Sequence, residues 1–250
     1  MKLTTSRYDA ELAYSERLSA ERPCSELSRE NAVHPEILLL LNEDNRDCVR
    51  RFIQSRFYQA YGAKVADFLP HLLALVDRET NIKASLGFAP ASQRPLFLEQ
   101  YLSQPVELCI ADALCVMPPK REQIVEMGNL ASDSYGATRR LILNLAGYFL
   151  QQGYRWLTIT ATSQVRNSFS QLGLNPYSHL LADAKISALT KPTSDWGSYY
   201  EFEPQVLVID IVAGVASLMA NPLLNKLLQQ INNPITDVMA DLHCQWGEVC

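Results

Sequence analysis

The stretch Arg121-Glu-Gln-Ile124-Val-Glu126-Met-Gly128-Asn-Leu130-Ala-Ser132-Asp-Ser-Tyr135-Gly136-Ala-Thr-Arg139-Arg140-Leu-Ile-Leu-Asn-Leu-Ala-Gly-Tyr-Phe-Leu-Gln-Gln152-Gly153-Tyr-Arg-Trp156-Leu-Thr-Ile-Thr-Ala161 decides the fold. Its first part, Arg121–Ser132, reads as a strand, with Ile124, Glu126, Gly128 and Leu130 on one face by alternation. Leu141, Ile142, Leu145, Ala146, Phe149 and Leu150 then recur at helical spacing, which predicts an amphipathic helix over Ala137–Gln152 that stops at Gly153. Trp156–Ala161 reads as a buried strand. Strand, long helix, strand predicts a right-handed parallel crossover.

Working outward toward the N-terminus, Ile37–Leu41 reads as a strand closed by the turn Asn42–Arg46. A helix follows from Asp47, with Val49, Phe52, Ile53, Phe57, Ala60 and Tyr61 on its apolar face and Gly62 at its end. Leu72–Val76 and Ile82–Ala89 form a hairpin across Asp77–Asn81, followed by a short helix at Pro95–Leu102 and the apolar run Val106–Ile110. Toward the C-terminus come a short helix over Ser163–Leu172, a last strand over Pro204–Ile211, and a helix-prone stretch, Val212–Ile231, broken at Asn221-Pro222. This order predicts an α/β (α+β) fold with a mixed, mostly antiparallel sheet, flanking helices and a C-terminal helical extension. The expected organisation is a polar arm over 1–32, a main domain over 33–211 and the helical extension over 212–250.

Across 250 residues, 22 Lys and Arg stand against 27 Asp and Glu, a formal net charge of −5. A mildly acidic chain with no basic run excludes nucleic acid and anionic lipid as partners held by charge alone. The N-terminal segment has no apolar stretch of signal-peptide type. The most apolar window, Val206–Ala220, carries Asp210 and falls short of the roughly 20 residues a membrane span needs, so no transmembrane segment is expected. The 6 cysteines and 4 histidines are scattered without metal-type spacing, which predicts no metal site, reduced thiols and a cytoplasmic protein.

Two features carry chemistry. Glu126 is a lone carboxylate in an apolar strand, where burial raises a pKa and suits a general base. The alternative is an edge-strand carboxylate in water or paired with an arginine. The second feature is the turn Ala131–Arg140, where the N–H groups opening a helix form a ready anion site at Gly136. Arg139 and Arg140 near the helix start would oppose the helix dipole, and an anionic ligand would offset them. The alternative is a plain strand–helix turn with Gly136 chosen for its backbone angles, at which a side chain would be costly. Ser134, His179 and Asp183 form a weaker hydrolase set without a nucleophile-elbow motif. Tyr199 and Tyr200, after Trp196-Gly197, are expected to pack on a core or at a pocket rim.

Val125-Glu126-Met-Gly128-Asn129-Leu130-Ala131, Phe97-Leu-Glu99-Gln100-Tyr101-Leu102, Arg166-Asn167-Ser168-Phe169 with Leu172-Gly173-Leu174, and Trp196-Gly-Ser-Tyr199-Tyr200-Glu201 resemble the bacterial thermostable hemolysin family. The similarity runs from about Asn42 to Asp210. That resemblance implies a GNAT-like acyltransferase fold close to the autoinducer-forming N-acyl-homoserine lactone synthases. Asn129 and Leu130 depart from those synthases, which place arginine and phenylalanine there, and this puts a homoserine-lactone product in doubt. Only Gly136 marks the phosphate loop, and Phe169 stands where many GNAT enzymes carry the tyrosine that protonates the leaving thiolate.

The resemblance implies an acyl group moving from an acyl-CoA or acyl-carrier-protein thioester to an amine acceptor, with no tightly bound cofactor. Glu126 is the implied catalytic residue. Leu130, Ala131, Ser132, Tyr135, Gly136, Ala137, Thr138, Arg139 and Asn167 are the implied donor-binding residues. Arg94 is expected to lie away from the cleft. The alternative implied by the family name is a membrane-active protein with Val212–Leu228 as its lytic segment.

Overall fold

The computed structural model of the protein describes residues 37–40, 43–77, 79–190 and 193–231; the expected arm (1–32) and the end of the extension (232–250) lie outside them. Seven strands are described: β1 (Ile37–Leu40), β2 (His71–Val76), β3 (Ile82–Pro90), β4 (Ile124–Ser132), β5 (Trp156–Ala161), β6 (Ser178–Asp183) and β7 (Gln205–Asp210). They form one sheet in the order β1-β2-β3-β4-β5-β7-β6. Only β4 and β5 run parallel; every other neighbouring pair is antiparallel. The helices are α1 (Glu43–Tyr61), α2 (Val106–Leu114), α3 (Tyr135–Gln151), α4 (Ser163–Gln171), α5 (Ile211–Ala220) and α6 (Pro222–Ile231).

Alternation along the strands divides the core between two faces. Leu73, Leu86, Val125, Met127, Leu157 and Ile159 face Leu141, Leu145 and Phe149 of α3, Phe169 of α4, and Val215 and Leu218 of α5. On the other face, Leu72, Ala74 and Val76 meet Val49, Phe52, Ile53 and Phe57 of α1. Ile124, Trp156, Val206 and Val208 pack there against Leu98, Val106 and Ile110. The helix α3 joins the two parallel strands, as its periodicity predicts, although Leu150 turns outward and is exposed. Gly153, at φ 84°, ends the segment in the left-handed region.

Several expectations need correction. Arg121–Gln123 forms a 3-10 turn, so β4 begins at Ile124, and Val106–Ile110 belongs to the longer helix α2. The edge strand β6 is absent from the sequence reading, because Ser-His-Leu-Leu-Ala-Asp has no β-branched residue and no clean alternation. Cys48 is disulfide-bonded, contrary to the reduced-thiol expectation; scattered cysteines give no spacing signature for such a pair. Cys109 and Cys115 are free.

The first half of Val212–Leu228, the lytic segment of the alternative reading, is part of the packing. Asp210 caps α5 by accepting from Ala213 N–H at 3.0 Å, and Ile211, Gly214, Val215 and Leu218 are buried. No helix among the described residues is long and apolar enough to cross a membrane.

Candidate functional site

The pairing of β3 with β4 slips in the middle. Gly87 opposes Gly128 and Ser85 opposes Ala131, so Asn129 and Leu130 together face Leu86. This is a β-bulge, and Asn129 sits at its turn with φ 50°, a conformation asparagine tolerates better than most residues. The extra residue reverses the facing of everything beyond it. Leu130, expected beside Glu126, instead packs into the α3-side core, while Ala131 packs with α1 on the face that carries Glu126.

At the same place β4 leaves β5. Their pairing runs from Ile124↔Trp156 to Met127↔Ile159, although both strands continue. Asn129 holds the loop above the gap: its Oδ1 accepts from Leu69 N–H at 2.9 Å and its Nδ2 donates to the Asp67 carbonyl at 3.0 Å. The Asp67 carboxylate accepts in turn from the hydroxyls of Ser194, at 2.9 Å, and Thr193. Glycine at 87 and 128 makes room for this arrangement, since a Cβ at Gly128 would lie 3.0 Å from Leu69 Cδ1.

A cleft of about 160 Å³ opens at this divergence, lined by Phe57, Asp67, Phe68, Leu69, Arg94, Phe97, Tyr101, Glu126, Met127, Gly128, Asn129, Thr160, Trp196 and Tyr199. Glu126 is buried, with Oε2 accepting from Phe97 N–H at 2.7 Å and Oε1 from Leu98 N–H at 3.0 Å. Burial pushes its pKa up to about 7, against the opposing pull of those two N–H groups and of the Arg94 guanidinium. Each carboxylate oxygen has a second lone pair, so the group can still accept from a ligand. Neither alternative read from the sequence holds as stated, because Glu126 is not in water and its direct partners are backbone amides. Arg94, expected away from the cleft, lines it, since the loop before Phe97 folds back over β4.

The Trp196-Gly197 motif builds the opposite wall. Gly197, at φ 51°, lies against the carbonyl of Tyr61 at the end of α1, where any Cβ would collide. That contact seats Trp196 and Tyr199 against Phe57. The Tyr199 hydroxyl donates to the Thr160 carbonyl at 3.4 Å, and the Tyr101 and Tyr200 hydroxyls meet at 2.6 Å. Burial raises the pKa of both Tyr101 and Tyr199.

The residues expected to bind the donor lie where β4 runs into α3. Ser132 Oγ meets Thr138 Oγ1 at 2.7 Å, and Ala137 N–H donates to the Ser134 hydroxyl at 3.2 Å. With Ala137 capped, the first N–H groups of the helix open to a ligand are those of Tyr135 and Gly136. Tyr135 is exposed, Arg139 half-buried, and Asn167 exposed on α4. None of 130–139, nor Asn167, lines the cleft. Gly136 has no positive φ, and a Cβ there would meet the flexible tip of Arg140 at 3.1 Å and the Ser134 hydroxyl at an ordinary 3.9 Å. The expected backbone penalty at Gly136 is therefore absent. Ser134, His179 and Asp183 form no single site: the last two lie on the edge strand β6, which β5 and β7 separate from β4. Arg94, Tyr101, Asn129 and Thr160 were not singled out from the sequence as cleft residues. Only Asn129 had a readable signal, an asparagine following glycine inside an apolar strand, which marks a bulge.

No curated protein matches the chain. Among solved structures, TofI in an apo form superposes with a TM-score of 0.51 at 15% identity, covering 76% of this chain and 98% of TofI. TofI in a ternary complex with an inhibitor and MTA gives 0.51 at 14% identity, covering 75% and 99%. FeeM, an N-acyl amino acid synthase from uncultured soil microbes, gives 0.49 at 15% identity, covering 76% and 97%. The fold is GNAT-like, a mixed and mostly antiparallel sheet with flanking helices. Residues 41–215, which carry the bulged strand, the cleft and the Trp196-Gly197 wall, match the pattern that defines the thermostable hemolysins, and the chain belongs to the thermostable hemolysin family.

Proposed function

We propose that this protein is an acyltransferase that moves an acyl group from a thioester, of CoA or of an acyl carrier protein, to an amine acceptor. One observation carries the reading: a buried carboxylate, Glu126, lies at the point where two parallel strands part beside a bulge. The gap gives an extended thioester unpaired strand edges to lie between. The carboxylate has a pKa near 7, suited to taking a proton at neutral pH.

In the reaction proposed, the amine nitrogen attacks the thioester carbonyl carbon and forms the C–N bond. The C–S bond then breaks. The proton lost by the amine passes to Glu126, and the sulfur leaves as thiolate and takes a proton from water or a nearby hydroxyl. In this reading the backbone of Leu130 and Ala131, the residues just past the bulge that ends the cleft at Asn129, receives the thioester carbonyl. The N–H groups of Tyr135 and Gly136 at the start of α3, with Arg139 nearby, receive the donor's phosphate in the same reading. Met127 separates the cleft from a small apolar crevice of about 30 Å³ bounded by Ile142, Leu145, Phe149 and Leu218. In this reading a medium or long acyl chain lies against the apolar side of the cleft, Phe57, Phe68, Leu69, Phe97 and Met127. A thioester donor made inside cells agrees with a cytoplasmic location, whereas the Cys48 disulfide points the other way.

The test is thiol release from decanoyl-CoA and from a decanoyl carrier protein, with and without a mixture of primary amines. Amine-dependent release is expected from the wild type. Gly128→Leu, whose side chain would project at Leu69 on the cleft floor, should cut the rate by at least about 100-fold if the donor must lie there. Equal release by Gly128→Leu and the wild type, with both folded, would move the reaction out of this cleft.

A further inference from the structure

The cleft's charges and free hydrogen-bonding capacity describe the ligand it takes. Three ionisable side chains of fixed sign line it: Glu126, Asp67 and Arg94. The two carboxylates are already engaged, Glu126 by the N–H groups of Phe97 and Leu98, and Asp67 by the hydroxyls of Thr193 and Ser194. Glu99, the next carboxylate along the loop, is held by Arg121. Arg94 differs. Among the described residues its guanidinium makes no hydrogen bond and no ion pair, although it lies near enough to Glu126 to act on that group's charge. Guanidinium is a donor only, with planar geometry that matches a carboxylate in two-pronged fashion.

The wall repeats the pattern. The indole Nε1 of Trp196 is buried and has no acceptor among the described residues, and it too can only donate. Thr160 Oγ1 is likewise buried without a partner. The cleft thus sets the unpaired donors of Arg94 and Trp196 against the acceptor capacity left on Glu126, and Arg94 is the one full charge in its lining without a hydrogen-bonded or ion-paired partner among the described residues. A simple alkylamine supplies a cation and donors, and leaves Arg94 and Trp196 unmatched. A ligand carrying both an ammonium and a carboxylate matches both ends.

We propose that the acceptor is an amino acid or a close relative, its carboxylate held by Arg94 at the mouth of the cleft and its amine turned toward Glu126. This rests on the acyl-transfer reading above and narrows it. The amine is deprotonated at Glu126 and attacks the thioester carbonyl, so the product is an N-acyl amino acid and a free thiol. Arg94 takes no part in bond making; it binds and orients the acceptor.

The experiment pairs each acceptor with its decarboxylated counterpart: L-alanine with ethylamine, L-leucine with 3-methylbutylamine, and L-phenylalanine with 2-phenylethylamine. Donor-free binding is read by calorimetry, and kcat and KM by thiol release from decanoyl-CoA. At least one amino acid should bind about 10-fold or more tighter than its amine, the size expected for a charge-assisted pair. Arg94→Gln should raise KM for that amino acid about 10–100-fold with kcat little changed, and leave KM for the amine unmoved. Arg94→Lys should recover part of the loss. Arg94 is exposed, so the substitutions spare the core.

Equal binding of acid and amine to the wild type, binding of neither, or an unchanged preference in Arg94→Gln would each overturn the proposal. Thiol release that is as efficient with plain amines sinks this inference and leaves the acyltransferase reading intact. Binding of amino acids through Arg94 without any thiol release overturns the acyltransferase reading and the acceptor role with it, and leaves only an amino-acid binding site.

Discussion

Glu126 combines two roles that pull in opposite directions. Its oxygens anchor the N–H groups that open the 3-10 turn Phe97–Tyr101, yet burial holds its pKa near 7. An acid whose folded pKa exceeds its unfolded value binds a proton more readily in the folded state. Its contribution to stability is therefore largest below about pH 4.5 and is lost as pH rises toward 7, by up to about 1.4 kcal/mol per unit. A base must be ionised to act, so kcat/KM should climb over the same range and level off above about 7. Glu126→Gln removes both trends. It should lower kcat by about 10²–10⁴-fold and flatten the pH–rate profile. It also leaves one of the two N–H groups without an acceptor, at a cost of about 1–3 kcal/mol. Chemical denaturation and rates measured from pH 5 to 9 check both. A pH–rate profile in the mutant that still rises through 7 would give the base role to another group.

At the scale of elements, the bulge in β4 organises the site, and Asn129 organises the bulge. Asn129→Ala removes the acceptor for Leu69 N–H and the donor to the Asp67 carbonyl, and it places a poorly suited residue at φ 50°. The expected loss is about 2–4 kcal/mol of unfolding free energy, read by chemical denaturation. Asn129→Gly relieves the backbone strain and should lose less. The same ranking in donor affinity would follow if the gap between β4 and β5 closes when the loop at 66–69 is released. A destabilisation equal for Ala and Gly would remove the strain argument.

This element also shows where sequence reasoning stops. Alternation placed Glu126 correctly because the count from Ile124 is unbroken. It failed at Leu130, one residue past the bulge, because a single inserted residue inverts every later side chain. Glu126 was legible as the lone carboxylate in an apolar strand, and α3 was legible through its stripe. Arg94 and Phe57 were not, since the fold brings them to Glu126 from a loop and from α1. The strand β6 was missed for a different reason: a half-exposed edge carries little of the apolar pattern that marks strands.

Over the whole molecule, the chain spends its apolar residues on two packed faces of one sheet. The helix α5, which holds the first half of the alternative reading's lytic segment Val212–Leu228, contributes Ile211, Val215 and Leu218 to the α3-side core. An apolar helix committed in this way is not available to a bilayer without unfolding the domain. A catalytic account fits the cleft, its carboxylate and its free guanidinium in one place. The most direct measurement is isotopic. The protein is incubated with deuterated decanoyl-CoA and a ¹⁵N-labelled amino-acid mixture, and the products are weighed by mass spectrometry. The account predicts an amide carrying both labels, formed by the wild type and reduced at least about 100-fold in Glu126→Gln. Deuterated free decanoic acid alone, or no amide from decanoyl-CoA and none when a deuterated decanoyl carrier protein replaces it, would contradict it.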